Sequence, residues 1–260
     1  METNRQKNNR REKIAVKHYR RITSTQNYAE NMKKNGRNLI VTAKEQTAGK
    51  GTKGRAFSSQ KGGVYLSALF FYNNLPADKA FLIMASTCAA VCKTLEEGGI
   101  KACVKWPNDV FAGGKKICGI LTENTFSQNG VQSVCGIGLN VNNVLPAELN
   151  DLATTAALQK GKRQNVKRWR ARLIRSLCEA YAALSAAGDF EQERREKVYA
   201  DVFDEYRSRL GFIGENVALV TEGGSCIARI SGVDETGRLL VLVGGEKKAF
   251  SAGEVVRLRV

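Results

Sequence analysis

The spacing of apolar positions alternates between two patterns along the first 209 residues. Short runs of branched and aromatic residues predict strands at 14–22, 38–43, 64–72, 99–106, 116–124 and 131–141. Helical spacing, with capping residues at the ends, predicts helices at 24–36, about 76–97 and 165–207. Strands are followed by helices in a mixed α/β order.

The pattern changes beyond Arg209, where helical spacing stops and short strands follow one another. Turn signals at 223–224, 235–237 and 244–245 recur about every ten residues, which favours a small β-barrel or sandwich. We therefore predict a tail at 1–13, a larger domain at 14–209 and a small β domain at 210–260.

Composition places the chain among globular proteins of reducing compartments. Its 260 residues are 43% hydrophobic, and the longest apolar run, "FLIMASTCAAVC", is too short to cross a bilayer. The N-terminus lacks the apolar core of a signal peptide, and seven cysteines without a C-x-x-C pair read as reduced thiols, so we expect a cytoplasmic protein. The single histidine, His18, argues against a catalytic triad or a histidine-rich metal site and is expected to be an ordinary strand residue.

The formal net charge of +16 is concentrated in two segments. Residues 1–21 carry eight Lys or Arg, which indicates a disordered basic tail at the start, and residues 160–175 carry eight without an acidic residue. The second segment begins a helix with an apolar stripe formed by Val166, Trp169, Leu173, Ile174, Leu177, Cys178, Tyr181 and Leu184. Its basic face is either a solvated surface or a docking surface for an acidic partner.

The stretch "AGKGTKGR" has the glycine spacing of two nucleotide motifs and completes neither. Gly49, Gly51 and Gly54 spell G-x-G-x-x-G, but a polar loop and a predicted strand follow instead of a helix. A Walker A motif would need Lys-Ser or Lys-Thr where Arg55-Ala56 stands. The stretch is therefore either a solvated loop or a basic loop that holds an anion.

A second stretch, "KWPNDVFAGGKKICGIL", brings polar groups to the end of a predicted strand. Pro107 interrupts the strand, so Asn108 and Asp109 follow at its carboxyl end, a frequent place for binding groups in α/β sheets. A hairpin at 113–114 returns Lys115 and Lys116 to the same neighbourhood. The alternative is ordinary turn chemistry with exposed lysines.

Taken in order, "STQN", "GKGTKGRAF", "KWPND", "KICGIL" and "GIGLN" resemble the motifs of biotin protein ligases over about residues 14–260. The resemblance implies an α/β (α+β) fold: a class II synthetase-like catalytic domain with a mixed sheet and packed helices, and a small SH3-like β-barrel at the C-terminus. About thirteen residues precede the first predicted strand, so we expect the form without an N-terminal DNA-binding domain.

The resemblance also implies the site and the reaction. Biotin and ATP would react to biotinyl-AMP, with Mg²⁺ on the phosphates and no protein metal ligand identified, and biotin would pass to a lysine of a biotin carboxyl carrier domain of a carboxylase. The catalytic residues would be Lys116, Asp109, Lys50 and Arg55. Biotin would contact Ser24, Thr25, Gln26, Gln46, Gly49, Lys50, Gly51, Lys116 and Gly119. ATP and the adenylate would contact Lys50, Thr52, Lys53, Arg55, Phe57, Asn108, Gly136, Gly138 and Asn140.

The sequence departs from the family pattern at four of these positions. Gln26 stands where the family usually has asparagine, and Phe57 replaces a common tryptophan. Lys50 and Thr52 occupy positions that are commonly arginine, and neither offers the bidentate guanidinium fork. We therefore expect this protein to release biotinyl-AMP faster than relatives that carry arginine.

Two rival functions remain open at this point. A lipoate or octanoate ligase would share the fold and the adenylate chemistry, although "KWPND" is not among its motifs. A basic nucleic-acid-binding protein would explain the net charge, but the two motifs offer few aromatic side chains for base stacking. No sequence-specific DNA or membrane partner is expected, and the resemblance allows a homodimer.

Overall fold

A computed structural model describes residues 14–259, so the predicted tail at 1–13 lies outside the described residues. The larger part of the chain is built on a seven-stranded sheet with the order β1-β2-β3-β7-β6-β5-β4. The strands are β1 Ala15–Tyr19, β2 Leu39–Ala43, β3 Val64–Asn73, β4 Cys103–Lys105, β5 Asp109–Ala112, β6 Lys115–Ser127 and β7 Gly130–Leu139.

The pairing of these strands confirms the expected mixed sheet. Strands β1 and β2 run parallel, and the other neighbouring pairs of the sheet are antiparallel. The alternating order of strands and helices therefore does not produce a largely parallel sheet, because hairpins at 113–114 and 128–129 connect β5, β6 and β7 directly. The predicted strand at 99–106 is shorter than expected, since β4 holds three residues and the chain turns at the cis Trp106–Pro107 bond.

Helices cover the sheet on both faces. Helix α1, Thr25–Met32, is capped by the Ser24 hydroxyl as predicted, and a 3₁₀ turn leads from it to left-handed Gly36. It packs on one face over a small cluster of Ala29, Leu39, Val41, Leu69 and Val134. The main core lies on the opposite face, where α2 Phe81–Glu97, α4 Val166–Ala187 and α5 Gln192–Ser208 pack together; short α3 is Ala156–Lys160.

The C-terminal segment forms a second, antiparallel sheet, in agreement with the expected small β domain. Its order is β11-β10-β9-β8-β12, and the strands are β8 Asn216–Thr221, β9 Gly224–Val233, β10 Leu239–Val243, β11 Glu246–Phe250 and β12 Val255–Arg259. The three predicted turn signals lie at the turns that connect β8 to β9, β9 to β10 and β10 to β11. This sheet contacts the larger part of the chain through Trp106, whose indole N–H donates to the Gly237 carbonyl at 2.9 Å. The domain boundary near residue 210 stays a prediction.

The cysteines and the single histidine take ordinary places in the fold. All seven cysteines are free thiols. His18 lies in β1 with Nδ1 2.7 Å from Thr42 Oγ1, and burial together with nearby Arg170 lowers its pKa. Across residues 14–259, no helix is both long enough and apolar enough to cross a membrane.

Trp169 anchors α4 to the main core, as its place in the predicted stripe indicates. The side chain is 2% exposed, and its ring lies where a Cβ on Gly98 would stand, at 2.0 Å. We expect Trp169→Ala to lower the free energy of unfolding by about 3–5 kcal/mol because it leaves a cavity that the surroundings fill only in part. Urea unfolding measures the change. Lys167→Ala, on the exposed face of the same helix, is the control. If Trp169→Ala lowers the free energy of unfolding no more than Lys167→Ala does, the assignment is contradicted.

Candidate active site

A pocket opens on the α1 face of the seven-stranded sheet. It lies between the N-terminus of α1, strands β3, β5, β6 and β7, and the stretch "GKGTKGRAF", and it is partly open to solvent. Its walls are formed by Ser24, Thr25, Gln26, Gln46, Lys50, Gly51, Thr52, Phe57, Leu66, Ser67, Asn108, Asp109, Lys116, Gly119, Ile120, Leu121, Gly136, Ile137 and Gly138.

The floor of the pocket is sheet backbone without side chains. Gly119 of β6 and Gly138 of β7 pair directly, and Gly136 lies two residues along β7. A Cβ on Gly138 would stand 2.3 Å from the Phe57 ring, and one on Gly136 would stand 2.5 Å from Gln26 Oε1. The glycines therefore let side chains, or a ligand, approach the strands closely.

A buried polar network closes one end of the pocket. Gln46 Oε1 accepts from the backbone N–H of Thr25 at 2.7 Å and from its hydroxyl at 3.0 Å, while Gln46 Nε2 donates to Ser59 at 2.8 Å. Ser67 lies on β3 and its hydroxyl contacts Thr25 Oγ1 at 2.9 Å. Thr25, Ser67 and Ser59 are at least 96% buried, so their orientation is fixed before any ligand enters.

Gln26 is held by a carboxylate that the sequence analysis did not single out. Its Nε2 donates to Glu123 Oε2 at 2.6 Å and to the Val134 carbonyl at 3.2 Å. Both amide hydrogens are thus occupied, which turns Oε1 toward Ser67, 3.1 Å away, and toward the glycine floor. Gln26, and not the neighbouring Asn27, therefore faces the pocket.

An ion pair stands at the other end. Lys116 Nζ lies 2.6 Å from Asp109 Oδ1, and about one third of each side chain is exposed. A bulge at Ile117 produces this pairing, because Val110 is opposite Cys118 whereas Phe111 is opposite Lys116. If the register of Val110 and Cys118 continued without the bulge, Lys116 would be opposite Ala112, and its side chain would point to the other face of the sheet.

Lys105 extends the charged end of the pocket. It pairs with Asp109 across β4 and β5, and its ammonium lies 5.1 Å from the centre of the Phe111 ring. Burial lowers the pKa of Lys105, the charge of Asp109 opposes this, and the charge of Lys116 adds to it. Asn108 beside the pair clamps β6, since its Nδ2 donates to the Ile120 carbonyl at 2.5 Å.

The glycine-rich stretch forms a small hairpin, Gly49–Phe57, which we call the glycine hairpin. Lys50 bridges to Ala56, and Phe57 N–H donates to the Gly49 carbonyl at 2.8 Å. At the tip, Arg55 N–H donates to the Thr52 carbonyl, and Lys53 and Gly54 have φ of 56° and 72°, the geometry of a type I′ turn. The hairpin thus covers one side of the pocket with Lys50, Gly51 and Thr52.

Most of the sequence-predicted residues meet in this pocket, and four lie outside its walls. Gly49 lies at the base of the glycine hairpin, and Arg55 bonds back to Thr52. Lys53 reaches toward the C-terminal sheet, and Asn140 accepts from Asn143 at 3.0 Å. Pattern analysis missed Leu66, Ser67, Ile120, Leu121, Ile137 and, beside the pocket, Glu123, because these residues belong to strands that read as core.

The described residues offer no cluster of three His, Cys, Asp or Glu side chains that could hold a metal ion. The donor set therefore does not fit a metal held by the protein alone. Cations in the pocket walls come from Lys50 and Lys116 instead, with Lys105 next to Asp109, so the charged end suits an anionic ligand.

Comparison with known sequences identifies the family. The Biotin/lipoate A/B protein ligase family matches residues 18–140, and the Biotin protein ligase C terminal domain matches residues 212–258. The bifunctional ligase/repressor BirA of Bacillus subtilis is 34% identical over 245 residues, which are 89% of this chain and 70% of the relative. The chain belongs to the biotin protein ligases. The resemblance drawn from the motifs is thereby confirmed.

Further relatives agree with the assignment of the ligase. The biotin--[acetyl-CoA-carboxylase] ligase of Mycobacterium tuberculosis is 31% identical over 227 residues, which are 85% of this chain and 79% of the relative. The solved biotin protein ligase from Aquifex aeolicus in complex with biotin and ATP superposes with a TM-score of 0.73 at 29% identity. The superposition covers 94% of this chain and 98% of the Aquifex aeolicus chain. The expected fold, including the small C-terminal β domain, is therefore confirmed.

Proposed function

We propose that the ligase activates biotin with ATP to biotinyl-AMP, releases pyrophosphate, and passes biotin to a lysine amine of a carrier domain. The observation that carries the proposal is one pocket with two different ends: a buried, prearranged polar network at Thr25, and the Lys116–Asp109 pair at the open end. The family and its ATP-dependent ligases support the reaction class.

Biotin has a polar ring system at one end and a carboxylate at the other, and we place it accordingly. The ureido group would lie against Thr25, Gln26 and Ser67, whose oxygens can accept its N–H groups. The carboxylate would reach Lys116 across the glycine floor. Because the floor residues are glycines, the flat ring and its chain could lie directly on the strands once the Phe57 ring, which covers part of the floor, moves aside.

The first step needs positioning and charge neutralisation more than a base. The biotin carboxylate is already a nucleophile; it attacks the α-phosphorus of ATP and pyrophosphate leaves. Lys116 would hold the attacking oxygen and Lys50 the phosphates, and Arg55 would join Lys50 after its side chain leaves Thr52. Mg²⁺ would travel with the phosphate oxygens, and we assign it no protein ligand.

The second step needs a neutral amine. The acceptor amine attacks the acyl carbon of biotinyl-AMP, an amide bond forms, AMP leaves and one proton is released. Asp109 stands at the open end of the pocket, where it can orient the incoming amine or accept its proton. Its bond to Lys116 couples the residue of the first step to that of the second.

Pyrophosphate release from ATP and Mg²⁺ tests the proposal directly. We expect release with biotin and none with lipoate or without an acid. Release with lipoate instead would replace the substrate and keep the fold. If folded protein released no pyrophosphate with biotin or with lipoate and bound DNA tightly, nucleic-acid binding would become the favoured function.

Thr52 tests how well this site retains its intermediate. The side chain accepts from Arg55 Nη2 at 3.1 Å and brings no charge of its own to the pocket wall. We expect Thr52→Arg to slow the dissociation of biotinyl-AMP by about tenfold, since one charged hydrogen bond contributes roughly 1.5–3 kcal/mol. Stopped-flow fluorescence or filter retention measures the off-rate. Thr52→Ser is the control, and an unchanged off-rate in Thr52→Arg would contradict the expectation.

The partner in the second step is proposed to be the biotin carboxyl carrier domain of a carboxylase. Helix α4 exposes Lys167, Arg168 and Arg175 beside Lys162 and Arg163. If this face steers an acidic carrier, added salt slows transfer to the carrier and leaves adenylation nearly unchanged. Equal salt dependence of the two half-reactions would argue that the basic face is merely solvated.

We place this reaction in the cytoplasm. Seven free thiols fit a reducing compartment, and ATP and a carrier protein are cytoplasmic substrates.

A further inference from the structure

The tip of the glycine hairpin is attached to the C-terminal sheet. Lys53 Nζ donates to the Val255 carbonyl at 2.5 Å and to the Gly253 carbonyl at 3.3 Å. The sequence analysis assigned Lys53 to the ATP phosphates, but its ammonium here lies on backbone carbonyls some 200 residues further along the chain.

The acceptors of this contact are held in place by their own turn. Glu254 N–H donates to the Ser251 carbonyl at 3.2 Å, and the Glu254 carboxylate accepts from Ser251 N–H at 2.7 Å. Hydrogen bonds from Ser251 to the carboxylate lower the pKa of Glu254. Val255 then enters β12, where it pairs with Thr221 of β8. The carbonyls therefore belong to a fixed part of the C-terminal sheet.

The other end of the hairpin is attached to the proposed biotin pocket. Ala48 N–H donates to the Thr23 carbonyl at 2.9 Å, and a Cβ on Gly49 would stand 2.4 Å from Ser59 Oγ. The pocket-facing residues Lys50, Gly51 and Thr52 lie between this base and the tip. Both ends of the segment are thus fixed, one by the larger part of the chain and one by the C-terminal sheet.

The conformation of Lys53 supports a role for the contact. A lysine in the left-handed region is uncommon, because its Cβ crowds the following carbonyl, and type I′ turns favour Asn or Gly at this position. The backbone is kept in this region where surrounding contacts determine it. The two bonds of the ammonium are such contacts.

We propose that Lys53 is a positioning residue that lets the C-terminal sheet hold the glycine hairpin over the pocket. Loss of the ammonium frees the tip while the base stays attached, so the hairpin opens more often. The consequence for the intermediate, faster escape of biotinyl-AMP, rests on the proposed function; the attachment itself does not.

Amide hydrogen exchange in the ligand-free protein tests the attachment. The amides of Gly51, Arg55 and Phe57 are hydrogen-bonded within the hairpin and report its opening. We expect Lys53→Met to raise exchange over residues 49–57 by about tenfold, with β2 unchanged, and Lys53→Arg to restore protection. Lys61→Met, a nearby lysine that is 69% exposed, is the matched control.

Lys53→Asn separates the attachment from turn preference. Asparagine suits the left-handed position but cannot reach the C-terminal sheet. We expect it to exchange as fast as Lys53→Met; protection at or above the wild-type level would overturn the proposal. Unchanged amide exchange in Lys53→Met together with a raised KM for ATP would also overturn the proposal and would support a contact of Lys53 with the ATP phosphates.

The off-rate of biotinyl-AMP tests the consequence. We expect it to rise about tenfold in Lys53→Met and to be near the wild-type value in Lys53→Arg. Faster exchange with an unchanged off-rate would overturn the consequence for the intermediate. Faster exchange in a protein that forms no biotinyl-AMP at all would keep the attachment and defeat the proposed function.

Discussion

Lys116→Ala is expected to reduce biotin-dependent pyrophosphate release by about 10²–10³-fold, the loss that follows removal of one charged group aimed at developing charge in a transition state. The wild-type ammonium is fixed by Asp109 at 2.6 Å and faces the glycine floor. Without it the biotin carboxylate and the α-phosphate repel each other. The burst of pyrophosphate in a single turnover measures the effect on the first step alone.

The neighbouring lysine provides a matched control. Lys115 belongs to the same hairpin, but its ammonium donates to the Asn150 carbonyl at 2.8 Å and stands 3.9 Å from Asp151, outside the pocket. Lys115→Ala should leave the burst within about twofold of wild type, as exposed ion pairs contribute little. Equal losses in the two variants would show that hairpin charge in general, and not Lys116, matters.

Asp109→Asn is expected to slow transfer of biotin from preformed biotinyl-AMP to the carrier by about 10²-fold, within the usual range of general base catalysis. Asparagine keeps the shape of the side chain but accepts no proton, so the reaction depends on the fraction of amine that is already neutral. A free lysine amine has a pKa of about 10.4, and the rate in the variant should therefore rise steadily between about pH 7 and pH 10.

The first step in Asp109→Asn should change less than the second. Lys116 loses its fixed partner, so a reduction of adenylation by about tenfold is expected from weaker positioning, equivalent to roughly 1.4 kcal/mol. Asp151→Asn, which alters an exposed carboxylate next to Lys115, serves as the control. Equal loss in both steps, without the rise with pH, would reduce Asp109 to a structural partner of Lys116.

The family and most of the pocket residues could be predicted from the sequence because several motifs are local. "KWPND" leads from β4 into β5, and "KICGIL" lies in β6 of the same β5–β6 hairpin, so Asp109 and Lys116 come together through a single tight turn. Ser24 and Thr25 are recognisable as the start of a helix. Such neighbours along the chain are neighbours in space, and pattern analysis finds them.

The remaining site residues depend on long-range pairing that no pattern displays. Ser67 and Glu123 lie in strands that read as core, and only the register of β3 and β6 against β7 brings them to Thr25 and Gln26. The bulge at Ile117 leaves no mark in the local composition, yet it decides which way Lys116 points. The resemblance implies that Lys53 contacts the phosphates, and its distant carbonyl partners are not visible in the sequence.

Strand β7 has a consequence for how this protein tolerates sequence change. Val131, Cys135, Ile137 and Leu139 face the main core, whereas Val134, Gly136 and Gly138 face α1 and the pocket. A scan of every substitution along β7 would then show two interleaved intolerant sets with different defects. Odd positions would reduce the amount of folded protein, and Gly136 and Gly138 would yield folded but inactive protein. Selection for solubility alone would therefore reveal the intolerant positions on one face of the strand. Selection for biotin transfer would reveal the intolerant positions on both faces.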